Sequence, residues 1–189
     1  RVVEADAYSR KGLFEGWAPS LFVGASLKGK TLGILGMGRI GKAVAQRAEA
    51  FGMRVLARSS SEGAAWEQIL AESDFLSLHC PLTPSTRHLL DREAFRAMKD
   101  TAILINTARG PVVSEQDLVW ALMEGEIAAA GLDVFEEEPR IHPGLLDLPQ
   151  VVLLPHIGSA DRETRATMAK MVAQSIVDVL EGRRPSHPV

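Results

Sequence analysis

The stretch from Thr31 to Gly41 constrains the fold of this chain more than any other part of the sequence. The residues Thr31 to Leu35 are typical of a buried parallel strand, and Gly36, Gly38 and Gly41 follow in a G-x-G-x-x-G spacing. A helical pattern begins at once. A strand, a glycine turn and a helix in this order predict a pyrophosphate-binding turn, because the helix N-terminus offers unpaired N–H groups to an anion.

Each glycine has a physical role in such a turn. Gly36 permits the tight bend, Gly38 lets the backbone approach the phosphates, and Gly41 lets the helix pack closely on the strand. In the helix, one predicted apolar stripe consists of Ile40, Val44, Ala48 and Phe51. Three glycines alone would also fit an ordinary turn of an α/β protein, but the flanking strand and helix favour the anion site.

Short apolar runs alternate with helical segments after Thr31, which predicts an α/β fold with a Rossmann-like doubly wound parallel sheet of about six strands and helices on both faces. The predicted strands are Thr31 to Leu35, Met53 to Ala57, Phe75 to His79, Ala102 to Asn106, Ala128 to Asp133 and Val151 to Leu154. The predicted helices are Arg39 to Ala50, Trp66 to Glu72, Arg92 to Met98, Ser114 to Glu124 with Ser114 as N-cap, and a long C-terminal helix from Ala160 to Glu181. Its predicted inner face consists of Met168, Met171, Val172, Ser175, Ile176 and Val179.

The composition excludes several classes of protein. Of the 189 residues, 21 are Lys or Arg and 24 are Asp or Glu, and neither sign forms a long run, so we expect neither a nucleic acid nor a membrane as partner. The single cysteine, Cys80, cannot form an internal disulfide, which favours a cytoplasmic location. Cysteine and histidine residues do not have zinc spacing, and we expect no metal site.

Polar residues that follow the predicted strands are candidates for chemistry, because ligands of an open α/β sheet bind at the carboxyl ends of its strands. These residues are Arg58, Arg109, Asp133 with Glu138, and His156. Taken singly, four of them have an ordinary alternative: a surface ion pair for Arg109, a strand-terminating turn for Asp133, a solvated acidic run for Glu138, and a capping or core position for His156. Their order at successive strand ends favours a shared site.

Five ordered segments resemble the D-2-hydroxyacid dehydrogenase family, most closely its glyoxylate/hydroxypyruvate reductase branch: Gly36 to Gly41, His79 to Thr83, Ile105 to Gly110, Gly131 to Pro139 and Pro155 to Ala160. The resemblance implies a dinucleotide-binding domain over residues 1–189, with a hinge helix and loop over 1–24, a Rossmann core over 25–158 and a C-terminal helix and tail over 159–189. We expect the family's N-terminal substrate domain to be absent. We therefore expect this chain alone to bind cofactor with little or no turnover.

The resemblance also implies a catalytic trio for the reduction of glyoxylate to glycolate or of hydroxypyruvate to D-glycerate. His156 would donate the proton, since histidine titrates near neutrality. Glu138 would be its acidic partner and would favour the charged imidazolium. Arg109 would hold the substrate carboxylate with its planar, permanently charged guanidinium.

The implied cofactor contacts follow the same pattern. Those at the pyrophosphate are Gly36, Gly38, Arg39, Ile40 and Gly41, and those towards adenosine and its ribose are Pro81 and Thr86. Those near the nicotinamide are Thr107, Arg109, Asp133, His156 and Gly158. At the end of the second strand, Ser59 stands where NAD-binding folds place an acidic residue. With Arg58 and Ser60 it could bind a 2′-phosphate, so we expect NADP(H) to be preferred, with NAD(H) possible.

Two other functions fit the same residues. A phosphite dehydrogenase-like oxidoreductase resembles the chain around Gly12 to Pro19 and keeps the trio. A nucleotide-sensing module, similar to the family's transcriptional corepressors, can also retain these residues, although retention of all three argues for chemistry. The family's subunit contacts further imply a homodimer, through the opening helix and the loop from Phe14 to Phe22.

Overall fold

A single six-stranded parallel sheet organises the computed structural model, which describes residues 1–59 and 63–187. The strands are β1 (Thr31–Leu35), β2 (Arg54–Arg58), β3 (Phe75–Leu78), β4 (Ile103–Asn106), β5 (Ala129–Leu132) and β6 (Val151–Leu153). Their spatial order is β2-β1-β3-β4-β5-β6. The order reverses between β1 and β3, and such a switch point opens a crevice at the carboxyl ends of the strands. The predicted Rossmann-like fold is confirmed.

Seven α-helices connect or follow the strands in the described part of the chain. They are α1 (Val2–Arg10), α2 (Arg39–Ala50), α3 (Trp66–Glu72), α4 (Arg92–Arg96), α5 (Glu115–Glu124), α6 (Pro143–Leu146) and α7 (Arg162–Leu180), and a short 3₁₀ turn covers Gly110–Val112. No helix among the described residues is long and apolar enough to cross a membrane.

The two faces of the sheet are covered by different apolar clusters. On one face, Phe95 and Leu118 are fully buried and belong to the same cluster as Leu76 and Leu104 of the sheet. The other cluster is smaller and includes Ile34 of β1 together with residues of α2. Because β1 is buried along its whole length, its sequence is a continuous apolar run rather than an alternating one.

The chain separates into two compact units, Arg1–Pro155 and His156–Val189. The first contains the whole sheet, and the second contains α7. In the second unit, the Asp161 carboxylate accepts a hydrogen bond from the backbone N–H of Thr164, which makes Asp161 the N-cap of α7. The helix therefore begins at Arg162 and not at the predicted Ala160. The predicted N-cap Ser114 of α5 is confirmed, since its hydroxyl accepts the N–H of Asp117.

Two predicted apolar faces differ from the structure. In α2 the buried residues are Gly41, Ala45 and Ala48, whereas Ile40 and Phe51 of the predicted stripe are exposed. The small residues face the sheet because they allow the helix axis to approach it closely.

The prediction of a buried inner face on α7 is also wrong. Met168, Val172, Ile176 and Val179 are exposed, and Asp178 is the one buried residue of this helix. An apolar stripe shows which side of a helix can be buried, but not that a partner is present.

The aromatic loop after α1 is exposed as well. Trp17 is 86% and Phe14 65% exposed, whereas Phe22 packs edge-on against Tyr8 with their ring centroids 5.2 Å apart. Helix α1 itself has no buried residue. Together α1 and this loop present an apolar surface to solvent.

Candidate cofactor-binding and active site

The glycine turn at the end of β1 is fixed by backbone contacts with both neighbouring strands. Gly36 donates its N–H to the carbonyl oxygen of Arg58 at 2.8 Å, and His79 donates to that of Leu35 at 2.7 Å. Gly36 has a φ of 101°, and a Cβ atom there would lie 2.5 Å from the carbonyl group of His79. Only glycine meets both demands, because its backbone adopts positive φ without strain and it has no Cβ atom.

The N-terminus of α2 opens directly above this turn. Gly38 is its N-cap, and no side chain caps the helix. A Cβ on Gly38 would meet nothing within 4 Å, whereas one on Gly41 would lie 2.0 Å from the carbonyl oxygen of Gly36. Arg39 and Ile40 are exposed in the first turn. Uncapped N–H groups and open space at Gly38 are what a bound pyrophosphate requires, so these residues fit a dinucleotide.

A cleft of about 760 Å³ extends from the glycine turn across the switch point. Gly36 and Gly38 line it together with Arg58 and Ser59 from the end of β2 and with Pro81 and Thr86 from the loop after β3. The structure thus brings together the residues expected at the adenosine half of a dinucleotide. Glu67 also lines the cleft, and Arg58 donates a hydrogen bond to the carbonyl oxygen of Ala64 at 3.3 Å. The predicted contact Ser60 lies outside the described residues.

The loop after β3 is held by its own hydroxyl groups. The hydroxyl of Thr86 donates to the carbonyl oxygen of Pro81 at 2.7 Å and accepts the N–H of Thr83 at 2.8 Å. Beside it, burial lowers the pKa of His79, which favours a neutral ring in the cleft. Burial also raises the pKa of the Cys80 thiol, so this side chain is a packed residue and not an activated nucleophile.

The loop that carries Arg109 is organised by Asn106, the last residue of β4. The buried Asn106 amide donates to the carbonyl oxygen of Arg109 and accepts the N–H of Ala108, both at 3.0 Å. Thr107 and Arg109 are consequently exposed at the carboxyl end of the sheet. Sequence reasoning did not assign Asn106 a role, although a polar residue that closes an apolar strand was the available signal.

The next strand supplies the acidic candidates. Asp133, which follows β5, is 4% exposed and donates its N–H to the carbonyl oxygen of Asn106 at 3.0 Å. Glu138 is exposed, and one of its carboxylate oxygens accepts the N–H of Phe135 at 3.0 Å. Because β4 pairs with β5, the loops of Arg109 and Glu138 start side by side at one edge of the sheet.

The remaining predicted residues belong to the second unit. His156 is exposed and has a φ of 54°, and it precedes Gly158 in the segment that leads into α7. Within residues 1–59 and 63–187, no group of three or more His, Cys, Asp or Glu side chains could hold a metal ion.

Residues 1–158 match the model of the D-isomer specific 2-hydroxyacid dehydrogenase NAD binding domain. The chain belongs to this family. The family domain binds a dinucleotide, which agrees with the glycine turn, with the uncapped N-terminus of α2 and with the cleft beside them.

Individual family members are similar over the whole chain. A glyoxylate reductase from Thermococcus litoralis is 48% identical over 100% of this chain and 62% of its own length. The crystal structure of a Thermus thermophilus protein is 51% identical with a TM-score of 0.93, over 100% of this chain and 63% of that one. A third structure, the NADPH-dependent glyoxylate/hydroxypyruvate reductase of Sinorhizobium meliloti in complex with NADP and malonate, is 35% identical with a TM-score of 0.89, over 100% and 61%. The chain thus spans about three fifths of the length of these relatives.

The open space at Gly38 leads to a testable prediction about cofactor binding. Gly38→Ala should leave the melting temperature unchanged but weaken NADPH binding about tenfold, because the new methyl group occupies the approach to the pyrophosphate. Gly41→Ala is the matched variant: its methyl group collides with the Gly36 carbonyl oxygen, so it should lower the melting temperature. Calorimetric titration and thermal unfolding measure the two effects. Unchanged NADPH affinity in Gly38→Ala would contradict the site.

Proposed function

We propose that this chain is the dinucleotide-binding part of an oxidoreductase that reduces a small 2-keto acid, glyoxylate or hydroxypyruvate, with NADPH. One observation carries the proposal: Arg109 and Glu138 follow the paired strands β4 and β5 at the same edge of the sheet as the glycine turn. The names of the similar glyoxylate reductases support this substrate class.

In this proposal, bound NADPH supplies the hydride. The guanidinium of Arg109 holds the substrate carboxylate and polarises the carbonyl group, and its permanent charge stabilises the negative charge that develops on the oxygen. His156 would donate a proton to that oxygen, and Glu138 would orient the imidazole. In this proposal Asp133, which is buried, and Thr107, which is exposed, would lie near the nicotinamide end of the cofactor.

Substitution of the trio tests the reaction in the complete polypeptide that carries this sequence. His156→Ala and Arg109→Ala should each lower kcat/KM for glyoxylate about a hundredfold or more, since they remove the proton donor and the charge stabiliser. Glu138→Gln should have a smaller effect of about tenfold, because it leaves the proton donor in place. Glu137→Gln is the control, since Glu137 forms an exposed ion pair with Arg140 and should leave turnover unchanged.

Steady-state rates with glyoxylate, hydroxypyruvate and phosphite distinguish the alternatives. Wild-type kcat/KM in all three variants would rule out the assigned residues. Oxidation of phosphite without reduction of a 2-keto acid would indicate a phosphite dehydrogenase. Cofactor binding without any turnover would indicate a nucleotide-sensing module.

The preference for NADPH is proposed from the end of β2. Ser59 and Arg58 line the cleft where an acidic residue would bind the 2′-hydroxyl of NAD. A serine there removes the repulsion of a 2′-phosphate, and the partly buried Arg58 adds positive charge. The relative from Sinorhizobium meliloti is named NADPH-dependent and binds NADP.

Ser59→Asp tests this preference. The added carboxylate should weaken NADPH binding about tenfold through like-charge repulsion and leave NADH binding equal or tighter. Ser59→Asn is the matched control, because it has the same size without the charge and should retain most of the preference. Dissociation constants for both cofactors decide the outcome, and an unchanged NADPH/NADH ratio in Ser59→Asp would count against the proposal.

We also propose a cytoplasmic homodimer formed through the apolar surface of α1 and the aromatic loop. Val2, Phe14 and Trp17 are 83%, 65% and 86% exposed on this surface, and burial of such side chains favours association. Light scattering at micromolar concentration should give twice the subunit mass. The double variant Phe14→Glu, Trp17→Glu should be a monomer, and a monomeric wild-type protein would disprove the dimer.

A further inference from the structure

Three segments near the candidate active site are joined by a cluster of polar groups that the proposed reaction does not use. Glu136, in the loop after β5, donates its N–H to the carboxylate of Glu115 at 2.8 Å. Glu115, the first residue of α5, donates its N–H to the carboxylate of Glu136 at 3.1 Å. The second carboxylate oxygen of Glu136 pairs with His88, from the loop after β3. We call these three residues the clamp.

Glu115 is the buried member of the clamp, whereas Glu136 and His88 are partly exposed. Glu115 is 5% exposed, and burial raises the pKa of its carboxyl group although the N–H groups of Glu136 and His142 favour the ionised form. A buried carboxylate without donors costs several kcal/mol, so the position of Glu115 depends on the loop that supplies them. The loop in turn depends on Glu115, because the two hydrogen bonds are reciprocal.

The same loop lies directly against the peptide that follows Arg109. A Cβ atom on Gly110 would come within 1.8 Å of the carbonyl oxygen of Phe135, so the two backbones are in contact. His88 also donates its backbone N–H to the carbonyl oxygen of Pro111 at 2.8 Å. The clamp therefore fixes the loop after β5 on the turn that begins at Arg109.

Glu138 is held at the other end of this short loop. Its carboxylate accepts the N–H of Phe135, the residue before Glu136. Arg109 is anchored separately by Asn106, which binds its carbonyl oxygen. Loss of the clamp should consequently move Glu138 while the Arg109 backbone keeps its anchor.

We propose that His88, Glu115 and Glu136 are positioning residues that hold Glu138 at a fixed place relative to Arg109. They act through the loop after β5 and contact neither the 2-keto acid nor the dinucleotide. The inference rests on the proposed function for its kinetic consequence, but the contact itself is independent of any activity.

Glu136→Gln and Glu136→Ala test the clamp in the complete polypeptide. The glutamine keeps an acceptor for the Glu115 N–H and loses the charge that faces His88, so kcat for glyoxylate should fall about threefold. Alanine removes both contacts and should lower kcat about thirtyfold. KM for glyoxylate and the dissociation constant of NADPH should change by less than about twofold, because Arg109 and the glycine turn have other anchors.

Glu137→Gln is the matched control, one residue further along the same loop. It removes one charge from an exposed ion pair with Arg140 and should leave kcat and KM at wild-type values. Partial retention of kcat in Glu136→Gln, relative to Glu136→Ala, separates positioning from a general loss of folding. An unchanged kcat in Glu136→Ala, or a loss that appears in KM alone, would overturn the proposal.

Amide hydrogen exchange of residues 134–138 gives a readout that needs no substrate. Exchange should be about tenfold faster in Glu136→Ala and in Glu115→Ala than in the wild type, and unchanged in Glu137→Gln. Equal exchange in all four proteins would show that no clamp holds the loop. If the wild type reduces no 2-keto acid, the positioning role falls with the proposed function, whereas faster exchange in the variants would still support the clamp as a structural contact.

Discussion

The close approach of backbone to backbone at the end of β1 is the constraint on which the rest of the site depends. The turn at Gly36 lies against the peptide of His79, and helix α2 rests on the same turn through Gly41. Side chains are excluded from both contacts. This packing fixes where α2 begins and therefore where its uncapped N–H groups point. The cleft beside the turn is lined by the end of β2 and by the loop after β3, and backbone hydrogen bonds of Arg58 and His79 join both to the end of β1.

Short-range patterns were sufficient to predict the strands of the sheet. The glycine spacing and the apolar runs depend on neighbours in the sequence, and all six strands are present within about two residues of their predicted ends. The buried face of each helix and the hydrogen-bond networks of side chains were harder to predict. The burial of Ala45 in place of Ile40 in α2 depends on how closely the helix meets the sheet. The exposed stripe of α7 looks like any core stripe in the sequence.

The residues of the candidate site also fall into two groups, those that the sequence predicted and those that it did not. Arg109 and Glu138 were predicted because each follows a strand, and parallel strands place such residues at one edge. Asn106 and Glu115 were not assigned a role, since their partners are backbone groups that any sequence provides. When a side chain hydrogen-bonds to a backbone group, the residue type at the partner position gives no sign of the contact. The supporting residues of a site are therefore less visible in a sequence than the residues that face a ligand.

The contact between Gly110 and Phe135 leaves no space for a side chain between the two loops. An insertion in one loop, or a bulkier residue at its base, displaces the other as well. The space for longer loops or bulkier side chains is consequently restricted at this edge of the sheet.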